Sequence, residues 1–163
     1  MAAETWQEGK ALSSPRILVL GVGNLLLGDD GVGVHLIASL AGAPLPANVQ
    51  LLEAGTVSHQ WIPLLGEIDR LIVVDAVEAG AAPGTIFRFS PTDVRFSSVP
   101  LMSLHQISLI DVLRLAELTG GKPETTIIGV QPRDVSSWSL ALCPEVEAAL
   151  PQVRELIWKE IRK

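Results

Sequence analysis

The sequence predicts a single α/β domain of three layers, in which helices cover both faces of a mostly parallel, twisted sheet of about five strands. Short apolar segments alternate with longer amphipathic segments along the chain, as they do in strand–helix–strand units. The chain has 163 residues, of which 48% are hydrophobic. That is enough material for one buried core and too little length for two.

The strands are predicted from short apolar segments. The first and third are apolar almost without a break, as expected of parallel strands that are buried on both faces. A fifth segment, at 85–89, follows the turn-forming Pro83-Gly84 and alternates apolar with polar residues, so we expect an antiparallel edge strand there. The four parallel strands are predicted at 17–20, 49–52, 71–74 and 127–130.

Four amphipathic segments predict helices at about 31–41, 58–67, 104–118 and 144–161. The third has the clearest ends, because Ser103 and Gln106 form a capping-box pattern and Gly120-Gly121 supplies a stop. Prolines complicate two of the others. Pro151 should kink or split the last helix, and Pro63 raises the same expectation for the second.

Composition excludes several classes of function. Lys and Arg number 12 against 18 Asp and Glu, so neither duplex nucleic acid nor anionic lipid is expected as the main partner. The single cysteine, Cys143, cannot form an internal disulfide, and we expect it to be inert. No apolar run reaches the roughly 18 residues of a membrane helix. We therefore expect a cytoplasmic protein with a flexible arm at 1–14 and one domain at 15–163.

The loop after the first predicted strand is the first candidate site, because ligands of such sheets bind beyond the carboxyl ends of the strands. The segment 21–33 reads GVGNLLLGDDGVG. It has Leu26 where a dinucleotide fingerprint needs glycine, and Asp29-Asp30 where a phosphate loop needs Lys-Ser/Thr. Two carboxylates at a helix start would repel a pyrophosphate and attract a cation. The alternative is that Asp29 or Asp30 only caps the helix.

Two further acids follow predicted strands. Asp75 comes directly after LIVV, where a buried carboxylate would be costly without a partner; it could instead cap a turn. Glu53 ends the second strand in Glu-Ala-Gly-Thr. It could bind a ribose, act as a catalytic or orienting carboxylate, or be a solvated strand end, and the sequence leaves these open.

Of the three histidines, His35 and His59 are expected at the surface or an interface, whereas His105 lies in the first turn of the third helix. The helix dipole there favours a neutral imidazole that can bind a metal. Asp30, Asp75 and His105 could together form a mixed oxygen and nitrogen site for a divalent transition metal. Ligand types alone do not separate nickel from zinc.

Taken together, these segments resemble the nickel–iron hydrogenase maturation endopeptidases, which trim the C-terminus of the hydrogenase large subunit. The resemblance runs from about residue 16 to residue 157, and its most specific stretch is ILVLGVGNLLLGDDGVGV. Other similar segments follow in the same order: EAGT at 53–56, LIVVDAV at 71–77, SLHQ at 103–106, IIGVQP at 127–132 and CPEVEAAL at 143–150.

The resemblance implies that Asp30, Asp75 and His105 contact nickel, which the substrate protein carries in. With Glu53 they would form the catalytic set, either Glu53 or Asp30 activating water. The family often has Glu at the position of Asp30, and Asp-Gly-Gly-Thr where this chain has Glu-Ala-Gly-Thr.

The same likeness implies that Gly55 and Thr56 bind the substrate. The expected partner is a nickel–iron hydrogenase large-subunit precursor, cut after nickel insertion by an enzyme that is a monomer or weak homo-oligomer. The alternatives are a nucleotide- or dinucleotide-binding module and a nickel chaperone of the same fold without hydrolysis.

Overall fold

A computed structural model describes residues 14–56, 61–93, 104–118 and 120–163, without the side chains of 104–108. Its main strands and helices follow one another in the order that the sequence predicts. In chain order they are β1 (Ile17–Val22), a 3-10 helix (Gly28–Gly31), α1 (Val32–Leu40), β2 (Val49–Gly55), α2 (Ile62–Leu65), β3 (Arg70–Ala76), β4 (Ile86–Phe89), α3 (Leu104–Leu118), β5 (Glu124–Val130) and α4 (Pro144–Ile161).

The five strands form one sheet in the order β2-β1-β3-β5-β4. All neighbours are parallel except β4, which pairs antiparallel with β5 at the edge. The predicted fold class is therefore confirmed, including its antiparallel edge strand. Because β2 lies on one side of β1 and β3 on the other, the strand order reverses between β1 and β3. This reversal creates the crevice in which open α/β sheets bind their ligands.

The core is divided between the two faces of the sheet. Since side chains alternate along a strand, Ile17 and Val19 of β1 pack against α1 and α4. Leu18 and Leu20 point to the opposite face and join the core formed with α2 and α3. Both central strands, β1 and β3, are buried along their whole length. This accounts for their nearly unbroken apolar sequences.

The structure departs from both expectations about prolines in helices. The second helix was predicted at 58–67, but it spans only Ile62–Leu65, with Pro63 in its first turn; residues 57–60 lie outside the described residues. The last helix is not split, because α4 runs for 18 residues through an exposed Pro151. Buried Val146 and Val153 hold it to the core on either side of the proline.

The C-terminal stop of α3 is confirmed. Gly120 has a φ of 92°, and its N–H donates to the carbonyl of Glu117. The N–H of Gly121 donates to the carbonyl of Ala116 at 2.8 Å, which completes a Schellman-type ending. Ser103 of the predicted capping box, and all of the predicted arm except Ser14, lie outside the described residues. Among the residues that are described, no helix is long and apolar enough to cross a membrane.

Candidate active site

The start of α1 lies directly on the crevice between β1 and β3. A Cβ added to Gly33 would collide with the carbonyl oxygens of Val22 and Val74, which belong to the ends of the two strands. Only glycine permits an approach this close. Asp30 comes three residues before Gly33, and Asp75 comes directly after Val74. The contact therefore brings both acids to the same end of the crevice.

Both of these carboxylates are buried. The side chain of Asp75 is fully buried at the penultimate position of β3, level with Gly129 of β5. Asp30 is 6% exposed, and its Oδ2 accepts the N–H of Asn24 at 2.8 Å. Burying two acids at one end of a crevice is unfavourable for folding and is characteristic of sites that bind a cation or move a proton.

An open groove of about 340 Å³ lies beside this crevice, at the carboxyl end of β2. Glu53, Gly55 and Thr56 line it, and the side chain of Glu53 is exposed. The backbone joins the groove to the loop after β1, because the N–H of Gly23 donates to the carbonyl of Gly55 at 2.8 Å. Asn24 lines the groove and also donates its N–H to Asp30. Groove and crevice are thus neighbouring parts of one region.

Asp29 does not cap its own helix, since the 3-10 helix has no side-chain cap bond. The residue is 2% exposed, and its carboxylate binds a distant segment instead. Oδ2 accepts the N–H groups of Arg133 at 2.8 Å and Asp134 at 3.3 Å, and Oδ1 accepts that of Cys143 at 2.7 Å. The capping alternative is therefore wrong for Asp29. The residue has a different structural role, which is to fasten the segment between β5 and α4. Sequence reasoning missed these partners.

Cys143 lies at the N-cap of α4, beside Asp29. Burial raises the pKa of its thiol, and the Asp29 carboxylate raises it further. The thiol therefore stays protonated at neutral pH, which fits an inert cysteine and disfavours a nucleophile.

The position of His105 can be described only through its backbone. The residue lies in the first turn of α3, whose C-terminus leads into the start of β5. A helix of 15 residues is about 22 Å long, so the first turn lies toward the carboxyl edge of the sheet. The side chain lies outside the described part of the chain, so its meeting with Asp30 and Asp75 stays a prediction.

Within the described part of the chain, neither of the other two histidines provides a metal ligand at the crevice. His35 is half-buried on α1, and His59 lies outside the described residues. Among the side chains that the structure describes, which exclude those of 104–108, no group of three His, Cys, Asp or Glu could hold a metal ion.

Comparison with known proteins identifies the family. The family model HycI, described as hydrogenase maturation protease, matches residues 34–160. The chain belongs to the hydrogenase maturation protease family. The solved structure of the hydrogenase maturating endopeptidase HybD from Escherichia coli superposes with a TM-score of 0.79 at 34% identity, over 90% of this chain and 92% of its own.

Curated relatives agree with this assignment. The hydrogenase expression/formation protein HupD of Rhodobacter capsulatus is 41% identical over 154 residues, covering 90% of this chain and 73% of its own length. The hydrogenase 2 maturation protease of Escherichia coli is 34% identical over 151 residues, covering 91% and 92%. The resemblance inferred from the motifs is thus confirmed. As a hydrogenase maturation protease, the protein is a hydrolase of peptide bonds with a role in protein processing.

Proposed function

We propose that this protease removes the C-terminal extension of a nickel–iron hydrogenase large-subunit precursor after nickel has been inserted, and that it recognises the nickel held by the precursor. The observation that carries the proposal is the burial of Asp30 and Asp75 at one end of the β1–β3 crevice, beside an open groove. The nickel belongs to the substrate. We place the reaction in the cytoplasm, with the enzyme acting as a monomer or weak homo-oligomer.

The residues present fit a divalent metal carried by another protein. Two carboxylates and one imidazole form a small, oxygen-rich donor set that suits a borderline cation such as nickel. Asp30 and Asp75 would supply the oxygens from the crevice, and His105 the nitrogen from the first turn of α3. When bound, the metal would supply positive charge that helps to position the precursor on the enzyme.

The groove supports a role in holding the peptide. Its open side can accept an extended chain, with Gly55 and Thr56 at the carboxyl end of β2 beside it. Glu53 is exposed on the groove, whereas Asp30 is buried and accepts the N–H of Asn24. The accessible carboxylate is the better placed of the two to take a proton from an attacking water. We therefore propose Glu53 as the base.

The proposal is tested by mass spectrometry of nickel-loaded precursor incubated with Asp75→Asn or His105→Ala enzyme. Each variant should slow trimming by about 100-fold or more, the scale expected for catalytic contacts. Asp111→Asn is the matched control, because that carboxylate lies on the surface of α3, 63% exposed. Undiminished trimming by either variant would overturn the assignment. A wild-type enzyme that binds the precursor and leaves its tail intact would indicate a chaperone.

A further inference from the structure

An exposed apolar surface lies beside the candidate site. Among the described residues, seven large apolar side chains are exposed, and five of them belong to two loops. Trp138 is 81% exposed and Leu140 is 63% exposed. Exposed apolar residues that cluster in this way are typical of protein–protein contact surfaces. We call this set the apolar rim: Leu25, Leu26, Val135, Trp138 and Leu140.

The two loops of the apolar rim are joined by backbone hydrogen bonds. Leu27 and Ser139 form an isolated parallel bridge. The N–H of Gly28 donates to the carbonyl of Ser139 at 2.8 Å, and the N–H of Ser139 donates to the carbonyl of Leu26 at 3.0 Å. The rim is therefore one surface, although its two halves are more than a hundred residues apart in sequence.

Local hydrogen bonds also fix the shape of the loop that carries Trp138. Oδ1 of Asp134 accepts the N–H of Ser136 at 2.8 Å, the hydroxyl of Ser136 at 2.7 Å and the N–H of Ser137 at 3.3 Å. Asp29 holds the two ends of the same loop through Arg133 and Cys143. A loop that is held at both ends and braced inside presents its apolar side chains outward in a preorganised arrangement, which lowers the entropic cost of binding.

We infer that the apolar rim is the docking surface for the folded body of the hydrogenase precursor, an inference that rests on the proposed function. Leu25 lines the groove and also belongs to the rim, so the two surfaces are continuous. A precursor that presents its nickel to Asp30 and its tail to the groove must cover the adjoining rim. An exposed tryptophan is the residue type that most often dominates the affinity of such contacts.

The test measures the affinity of the wild-type chain and of its variants for large-subunit precursors from the same organism. Calorimetry with nickel-free precursor reports binding without turnover, and mass spectrometry with nickel-loaded precursor reports trimming. Trp138→Ala and Leu140→Ser are the test variants. Leu118→Ser is the matched control, because Leu118 is 84% exposed but lies at the end of α3, near the amino edge of the sheet.

We expect Trp138→Ala to weaken binding and to raise KM by about tenfold or more, with kcat nearly unchanged, because the side chain touches no reacting atom. Leu118→Ser should match the wild type, and the thermal unfolding of all three variants should be unchanged.

Equal affinity of Trp138→Ala and wild type would overturn the inference, and so would a wild-type chain that binds no precursor. It would also be overturned if sedimentation showed that these substitutions dissociate a homodimer while precursor affinity stays the same. A wild-type chain that binds through the rim without trimming would support the docking surface and refute the proposed function.

Discussion

Replacing Asp29 with asparagine should weaken the attachment of the β5–α4 segment to the loop after β1. The carboxylate is buried and accepts three backbone N–H groups, from Arg133, Asp134 and Cys143. An amide has only one oxygen, so its best orientation keeps the two bonds at Oδ2 and turns its NH₂ toward the N–H of Cys143. Losing a charge-assisted bond and leaving a buried donor unsatisfied costs about 2–3 kcal/mol.

Urea unfolding at pH 7 measures this loss in the free energy of unfolding. For a chain of this size the same loss lowers Tm by about 4–12 °C. Asp111→Asn removes an exposed carboxylate from α3 and should change stability by less than about 0.5 kcal/mol. Equal stability of the Asp29→Asn variant and the wild type would refute the reasoning that this carboxylate holds the segment in place.

The loss of stability caused by Asp29→Asn should depend on pH. Burial raises the pKa of Asp29, but the N–H groups of Cys143 and Arg133 outweigh it, so the pKa lies below the ordinary 3.8. A depressed pKa stabilises the fold above the unfolded value, and that contribution is lost as pH falls through the folded pKa. The stability difference between the wild type and Asp29→Asn should therefore narrow below about pH 3.8.

Two further substitutions test the packing of α1 and α4 against the sheet that carries the site. Gly33→Ala should cost about 3 kcal/mol and slow trimming, because its Cβ would collide with backbone carbonyls of β1 and β3; Gly66→Ala, where the nearest atom is 3.5 Å away, should be nearly neutral. Glu160→Gln should cost about 2–3 kcal/mol, because the buried carboxylate accepts the Nε–H of Arg88 at 2.7 Å and lies 3.7 Å from Arg70.

Urea unfolding measures the loss of stability in Gly33→Ala and in Glu160→Gln. Burial raises the pKa of Glu160, but its bonds from Arg88 and Lys163 lower it below the ordinary 4.5. Its contribution is therefore present at neutral pH and is lost as pH falls through the folded pKa, below about 4.5. A stable Gly33→Ala variant would contradict the close helix–strand contact. A pH-independent difference for Glu160→Gln would contradict the ion-pair account.

The positions of the strands could be predicted in outline because apolar runs mark buried strands, but the strand ends could not. The first run, at 17–20, stops where Gly21 interrupts it, yet β1 continues to Val22. A Cβ on Gly21 would meet Ile37 of α1, so the residue that breaks the apolar pattern is the one that lets the helix pack on the strand. The short second helix was overestimated because an apolar pattern does not show where a chain turns.

The location of the site could be predicted from the sequence, because parallel strands have their carboxyl ends at one edge of the sheet. From the sequence, that rule alone places Asp30 and Asp75 at the same edge. It could not separate Asp29 from Asp30, because the N–H groups that bind Asp29 are at least 104 residues away. Nor could it find the apolar rim, since Trp138 and Leu140 belong to an irregular loop with no hydrophobic period.

The intact mass of the hydrogenase large-subunit precursor, recorded with and without nickel after incubation with the wild-type protein, tests the central claim most directly. We predict that the nickel-loaded precursor loses its C-terminal extension and that the nickel-free precursor keeps its full mass. Equal trimming of both forms would contradict recognition through the metal, and an unchanged mass for both would contradict the proposed cleavage.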